Sequence, residues 1–312
     1  MMRKISGLWV VECNYCYNKW TVEFREGVPV FQSEIREFRQ PREVDLYHRC
    51  GLYERAGVPV TVRAVDHRRY PDLAAHEAVT RDFSDAVCEG IGRGDVVLVA
   101  GGYCNYAPAV AGGIQRALGE DKTLGVIWAD AHGDCRIPER VSGPVTLVGV
   151  PMSTMLGLTL PDYRRRVCGL QVPCRGDNVV AGDMRIMDEA TAAALSGAGV
   201  HWLDATAFAH EGMWRDAVER LADRVDAIYL SVDADILRAD YIPAYEKTVP
   251  YGQELATVAR NIQIAVETGK VCALSMFCFD FDHYERGGER TYASGMELIG
   301  AGLDSWARCP LP

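Results

Sequence analysis

The sequence predicts an α/β protein with one parallel β-sheet of about eight strands and helices on both faces of that sheet. Short apolar runs recur along the 312 residues, and most of them are continuous rather than alternating. Continuous runs are expected for parallel strands that are covered on both faces. Amphipathic stretches lie between the runs, and the chain has no internal repeat and no Pro/Gly/Ser-rich linker. We therefore predict a single domain over residues 1–312.

Eight apolar runs are the predicted strands. In chain order they are Val60–Val65, Asp95–Ala100, Leu124–Ala129, Val145–Val150, Asn178–Ala181, Val200–Leu203, Ala227–Val232 and Val271–Phe279. Residues 1–50 fit this pattern poorly, and we treat them as a candidate for a family-specific N-terminal addition.

Apolar residues at helical spacing predict helices between the strands. Such residues occupy one face of Trp214–Val225 and of Glu254–Val266. A third helix is indicated by Val79, Phe83 and Val87, and the glycines at 90–94 end it. Helices that alternate with strands in this way are typical of a parallel sheet.

Composition and charge exclude several classes of protein. Lys and Arg number 33 against 43 Asp and Glu, so the net charge is −10, which argues against a nucleic-acid partner and suits metal ions or basic small molecules. No apolar run approaches the ~18 residues that span a bilayer, and the apolar stretch after Lys4 is too short for a secretory signal. The eleven cysteines, an odd number, favour a reducing compartment, and we predict a cytoplasmic protein without a membrane partner.

Chemically useful side chains follow four of the predicted strands. These are Cys104 in Gly101-Gly102-Tyr-Cys104-Asn, the motifs Asp130-Ala-His132-Gly-Asp134 and Ser231-Val-Asp233-Ala-Asp235, and Asp280-Phe-Asp282. Ligands of open α/β sheets bind at the carboxyl ends of the strands, where these side chains would meet.

Several carboxylates at one edge of an apolar sheet predict bound cations. Aspartates two residues apart share one face of an extended segment. Their repulsion and desolvation are costly unless cations neutralise them. Asp and His donors suit a divalent ion such as Mn²⁺, and their number is sufficient for two ions that share a bridging water.

Together these motifs resemble the ureohydrolase family, which contains arginases and agmatinases. That family carries a GGDHS segment, a DAHxD motif, an SxDxDxxDP motif and a late acidic residue, and the resemblance spans about residues 95–300. It implies a three-layer arginase-type fold, a dimanganese centre and hydrolysis of a guanidine or amidine C–N bond. It also implies a small cationic guanidino substrate and a homo-oligomer, a trimer or a hexamer.

The resemblance assigns roles to individual residues. Asp134 would hold the metal-bound hydroxide that attacks the guanidinium carbon, and Asp280, or Asp282 in an alignment shifted by two residues, would pair with the guanidinium. The implied metal ligands are Cys104, Asp130, His132, Asp134, Asp233 and Asp235. Implied contacts to an amino-acid substrate are Arg136 and Ser142 for its carboxylate and Asp188 for its amino group, although Asp188 also fits a helix N-cap.

The DP step of the family's SxDxDxxDP motif is absent here, and two positions that matter for the chemistry also depart from the family pattern. Cys104 replaces the family's first histidine ligand; as a thiolate it would shift the preference toward Zn²⁺ or Fe²⁺, and the alternative is a buried apolar residue. A cysteine here resembles the Nω-hydroxy-L-arginine amidinohydrolase branch, which releases hydroxyurea rather than urea. Val148 replaces a proton-shuttle histidine, for which His283 could substitute. Alternatives are hydrolysis of an agmatine- or formimino-type amidine, and a non-catalytic binding protein on the same fold.

Overall fold

Eleven strands lie within the residues that the computed structural model describes, which are 5–37, 47–245, 247–279 and 284–308. They are β1 (Leu8–Glu12), β2 (Tyr15–Arg25), β3 (Val28–Glu37), β4 (Val60–Ala64), β5 (Val96–Ala100), β6 (Leu124–His132), β7 (Val145–Thr146), β8 (Val179–Ile186), β9 (His201–Asp204), β10 (Ala227–Asp233) and β11 (Val271–Phe277). The α-helices are α1 (Ala75–Gly92), α2 (Ala107–Leu118), α3 (Pro151–Met155), α4 (Glu189–Ala198), α5 (Ala205–Ala209), α6 (Glu211–Ala222), α7 (Leu255–Glu267) and α8 (Gly288–Arg308).

Eight of these strands form the central sheet, in the order β4-β1-β5-β11-β10-β6-β8-β9. All neighbouring strands in it are parallel, and helices flank it, which confirms the predicted α/β architecture. The strands β5, β11, β10 and β6 lie side by side at its middle. Their carboxyl ends therefore meet at one edge, as the sequence motifs required.

One strand predicted for the central sheet was wrong, and one strand of that sheet was missed, as was the hairpin of β2 and β3 that precedes β4. The run Val145–Val150 does not enter the central sheet: Val145 and Thr146 pair antiparallel with β2, and the backbone then turns into a 3₁₀-helix and α3. Pro151 at the first position of α3 favours this helical start. The eighth strand of the sheet is β1, which lies between β4 and β5 with every residue buried.

A hairpin of β2 and β3 precedes β4 and packs near α1. Its turn residues Glu26 and Gly27 both have positive φ, of 52° and 79°, as in the two-residue turns that match the twist of a hairpin. At the contact with α1, the Ser33 hydroxyl lies 2.6 Å from His76 Nδ1, and the Phe31 ring lies 5.2 Å from the His76 ring.

The three predicted helices are present as α1, α6 and α7, with bounds shifted by a few residues. The helices α1 and α2 approach closely because Gly113 lies between them, where an added Cβ would lie 2.5 Å from the Ser84 carbonyl oxygen. The Trp214 indole on α6 donates to the Asn261 carbonyl on α7 over 3.0 Å. Among the described helices, none combines the length and apolar character needed to cross a membrane.

Candidate metal centre

Six of the predicted site residues, and one that was not predicted, lie at the carboxyl ends of the four middle strands. Asp130 and His132 end β6, Asp233 ends β10, and Asp235 follows in a 3₁₀-turn. Cys104 begins a short 3₁₀-helix after β5, Asp134 follows β6, and the unpredicted Cys278 follows β11.

Asp130, His132 and Asp235 form a group that we call the carboxylate–imidazole cluster. Their potential ligand atoms all lie within 4.8 Å of one another. His132 Nδ1 lies 2.9 Å from Asp235 Oδ2 and 3.6 Å from Asp130 Oδ1. Asp130 Oδ1 accepts the His132 backbone N–H over 2.6 Å, whereas the buried Asp130 Oδ2 has no hydrogen-bond partner among the described residues. A buried carboxylate oxygen without a partner fits a group that a cation would occupy.

Cys104, Asp233 and Cys278 form a second group, which we call the dithiol cluster. Its potential ligand atoms also lie within 4.8 Å of one another, and all three residues are buried. The Cys278 backbone N–H donates to the Gly102 carbonyl over 2.9 Å, which ties the loop after β11 to the loop after β5. Gly102 has a φ of 85°, a conformation that glycine adopts without strain.

The electrostatics of the two clusters favour cations. Burial, followed by the charge of neighbouring aspartates, raises the pKa of Asp130 and of Asp233 well above the usual range. Burial would lower the pKa of His132, but hydrogen bonds and the charges of Asp130 and Asp235 raise it to about 11. The protein thus gathers acids whose ionised forms repel one another, and bound divalent ions would relieve that repulsion.

Asp134 adjoins both clusters. Burial raises the pKa of Asp134 most, the charge of His132 lowers it, and the charges of Asp233 and Asp235 raise it, so that its pKa is about 8. A hydrogen bond with Cys104 also lowers it. The residue has a φ of 40°, which is uncommon outside glycine and is a feature of functional sites.

A cavity of about 400 Å³ opens beside the carboxylate–imidazole cluster. Its lining includes His132, Asp134, Arg136, Arg185 and Asp188. Arg136 faces Asp188 across it, with 3.5 Å between a guanidinium nitrogen and a carboxylate oxygen. The other Asp188 oxygen accepts the Thr191 N–H over 2.8 Å at the start of α4, so Asp188 is a helix N-cap as well as a cavity residue.

The remaining residues that the sequence singled out contribute no side chain to the two clusters or to the cavity among the described residues. Asp280, Asp282 and His283 lie outside the described residues. Ser142 is exposed in a turn and is not part of the cavity lining. The Val148 carbonyl oxygen lies 3.7 Å from Cys104 Sγ, so this position does adjoin the site.

Sequence reasoning missed Cys278. The residue lies inside the apolar run Val271–Phe279, where a cysteine counts as an apolar residue. The strand that the structure shows ends one residue earlier, at Phe277. The signal that could have found Cys278 is the one that found Cys104, a cysteine at the carboxyl end of a middle strand.

Comparisons with known proteins identify the family of this chain. A sequence model of the arginase family matches residues 17–299. The chain is 26% identical to an arginase of Emericella nidulans over 249 residues, 76% of this chain and 75% of that enzyme. It is 30% identical to a formimidoylglutamase of Klebsiella pneumoniae over 208 residues, 66% of this chain and 60% of that enzyme.

A solved structure shows the same fold. The arginase of Entamoeba histolytica superposes with a TM-score of 0.78 at 15% identity, covering 97% of this chain and 99% of that one. The family model covers most of the chain, including the Asp130–Asp134 and Ser231–Asp235 motifs. The chain therefore belongs to the arginase family, whose members are amidinohydrolases that act on C–N bonds of linear amidines.

Proposed function

We propose that the protein hydrolyses the C–N bond of a guanidino or N-hydroxyguanidino amino acid, of the arginine or Nω-hydroxyarginine type. The products would be urea or hydroxyurea together with an amine. One observation carries the proposal: a single cavity is lined by His132 and Asp134 of the site and by the facing pair Arg136 and Asp188. Such a cavity can hold a cationic group at one set of residues and an amino-acid head group at the other.

Two divalent metal ions are the cofactors of this proposal, Mn²⁺ foremost, with Zn²⁺ or Fe²⁺ possible because of Cys104. The residues that would hold them are Cys104, Asp130, His132, Asp134, Asp233 and Asp235. The unpartnered Asp130 oxygen and the two clusters fit this cofactor. When bound, the ions supply an activated water and offset charge that develops on the amidine.

The side chains would orient the water and the substrate. The Asp134 carboxylate adjoins both clusters. It would accept a hydrogen bond from the attacking water and so orient that water. The carboxylates would attract the cationic guanidinium, and Asp280 or Asp282 remains our prediction for its direct partner. Val148 carries no proton, so protonation of the leaving amine is assigned, as a prediction, to His283 or water.

The substrate's head group would replace an existing ion pair. The Arg136 and Asp188 side chains are each about half exposed, and exposed pairs contribute only about 0–1 kcal/mol. An α-carboxylate can therefore bind Arg136, and an α-ammonium can bind Asp188, with little loss of free energy from the broken ion pair. Ser142 stays a predicted second contact for the carboxylate.

A product screen tests the proposal. Protein loaded with Mn²⁺ or Zn²⁺ is offered arginine, Nω-hydroxyarginine, agmatine and formiminoglutamate, and urea, hydroxyurea and formamide are measured. We expect turnover of a guanidino amino acid in preference to agmatine. We also expect Arg136→Ala to raise the KM for that substrate roughly 10- to 100-fold, as for a lost charged hydrogen bond, with Arg136→Lys intermediate.

Other outcomes would contradict the proposal. An unchanged KM in Arg136→Ala would remove the assignment of the head group. Preferential turnover of formiminoglutamate would support a formimino-type hydrolase, which the similarity to a formimidoylglutamase makes the second candidate. Ligand-induced stabilisation without turnover of any compound would support a binding protein, for which the departures at Cys104 and Val148 argue.

The assembly and the compartment are part of the same proposal. By analogy with the family, we propose a homo-oligomer of three or six chains in the cytoplasm. Light scattering coupled to size-exclusion chromatography would measure the mass directly, and a monomer would contradict the first part.

A further inference from the structure

We propose that the two clusters bind different metals: the dithiol cluster of Cys104, Asp233 and Cys278 selects a thiophilic ion, zinc foremost, and the carboxylate–imidazole cluster of Asp130, His132 and Asp235 selects a harder ion such as Mn²⁺. The inference rests on the proposed function only for the presence of two ions. It adds Cys278 as a metal ligand and makes the centre heterodinuclear.

The position of Cys278 is fixed by the backbone. The residue has a φ of 64°, and its N–H is held by the Gly102 carbonyl at 2.9 Å. Cys104 lies two residues after Gly102, at the first position of a short 3₁₀-helix. Because β11 lies next to β5 in the sheet, this backbone contact brings the two cysteines together from opposite parts of the sequence.

The two thiols are close enough to share one ion. The Cys104 and Cys278 sulfurs and an Asp233 oxygen lie within 4.8 Å of one another. Zn–S bonds are about 2.3 Å long, so two thiolates on one tetrahedral zinc are roughly 3.8 Å apart. The dithiol cluster could reach this spacing with only a small side-chain movement.

The donor atoms differ in kind between the clusters. Two sulfurs and one carboxylate favour zinc over Mn²⁺, because thiolate is a soft ligand. Two carboxylates and one imidazole contain no sulfur and accept a harder ion. Three protein donors also leave one tetrahedral position free, which is the composition of catalytic rather than structural zinc sites.

Cobalt substitution tests the ligand set without any enzymatic assay. Metal-stripped protein, kept reduced so that the two cysteines cannot form a disulfide, is titrated with Co²⁺ in the ultraviolet–visible spectrometer. We expect thiolate-to-cobalt charge-transfer absorption that grows to one equivalent and that Zn²⁺ abolishes. No such absorption in the wild-type protein would overturn the proposal.

Single variants measure how much each cysteine contributes to the charge-transfer absorption. We expect Cys278→Ser and Cys104→Ser each to retain about half of it and to weaken zinc binding at least about tenfold, the low end of what even indirect partners of a metal contribute. Cys272→Ser is the matched control, because Cys272 lies at the opposite end of the same strand β11 and should leave the spectrum unchanged. Full absorption in Cys278→Ser would exclude Cys278 as a ligand.

Metal competition tests the selectivity on the unmodified chain. Because Zn²⁺ generally binds nitrogen and oxygen donors more tightly than Mn²⁺ as well, the protein is equilibrated with Mn²⁺ in large excess over Zn²⁺. Mass spectrometry of the metals should then find one of each per chain. Two Mn²⁺ or two Zn²⁺ would contradict the heterodinuclear centre. Because these readouts measure binding alone, a correct metal pattern without turnover would refute only the proposed function, and turnover without sulfur ligation would refute only this inference.

Discussion

At the scale of single residues, Asp130 has a buried side chain that contributes little to the stability of the fold. One of its oxygens holds a backbone N–H of its own strand, and the other is buried without a partner among the described residues. An ionised carboxylate in that position destabilises the metal-free protein, because its charge is buried close to other acids. A bound cation, rather than the packing around it, would account for this residue.

Asp130→Asn separates the two roles. The amide keeps the shape and the acceptor for the His132 N–H but removes the charge. We expect metal affinity to fall at least about tenfold and turnover to fall with it, while the melting temperature of the metal-free protein does not decrease. Calorimetric metal titration and thermal denaturation measure these effects. A variant that loses stability but keeps its metal affinity would show that Asp130 is structural.

The same scale shows what sequence can predict. The placement of the aspartates at 130, 134, 233 and 235 at one edge of the sheet was predictable, because polar residues directly after apolar strands have few structural explanations. Cys278 was not, because a cysteine in an apolar run is indistinguishable from a packed side chain. Only the pairing of β11 with β5, which is a long-range property, places it next to Cys104.

At the scale of elements, the hairpin β2–β3 is coupled to α1 through a buried histidine. His76 Nδ1 is paired with the Ser33 hydroxyl, and its Nε2 has no hydrogen-bond partner among the described residues. Phe31 and Tyr163 lie against the ring. Burial lowers the pKa of His76 to about 4, because a protonated ring would have a buried N–H without an acceptor.

This burial predicts acid sensitivity. The unfolded chain takes up a proton at His76 near pH 6.5, whereas the folded protein does so only near 4, so stability is complete above 6.5 and is lost as the pH falls between these values. The loss reaches about 3 kcal/mol. Denaturant unfolding at several pH values should show this slope flattened in His76→Gln and retained in Ser33→Ala. An equal slope in His76→Gln would show that other groups cause it.

Elements also mark the limit of prediction from sequence. Seven strands of the central sheet follow from continuous apolar runs, since strands covered on both faces have that pattern. The run at 145–150 has the same pattern, but Pro151 follows it directly and favours the start of a helix. The strand β1 has no amphipathic helix directly after it, so the alternation that reveals the other strands is missing.

At the scale of the whole molecule, metal ions should stabilise the fold. The site draws on strands from the first and the last third of the chain, so ions that bind there bind only the folded state. We expect a chelator to lower the melting temperature by roughly 4 °C for each site that was filled at about a hundredfold excess over Kd. Differential scanning calorimetry measures this. An unchanged melting temperature would contradict metal binding at these clusters.

The net charge of −10 gains meaning at this scale. Four of the acids that contribute to it lie at the candidate site, where bound ions would neutralise them. The sequence predicted this concentration of charge and the single broad sheet. It selected Cys104 among the eleven cysteines but not Cys278, because burial gives most of the described cysteines the same surroundings.

The place of β11 in the sheet has a consequence for the order in which the molecule can be assembled. Without β11, the sheet consists of two separate pieces, β4-β1-β5 and β10-β6-β8-β9. The strand that joins them is the last of the sheet in chain order, and it carries Cys278 into place against Gly102. Pairing over such sequence distances is slow. During synthesis, therefore, the dithiol cluster is completed only when both pieces have been joined, so zinc capture would report that folding has finished.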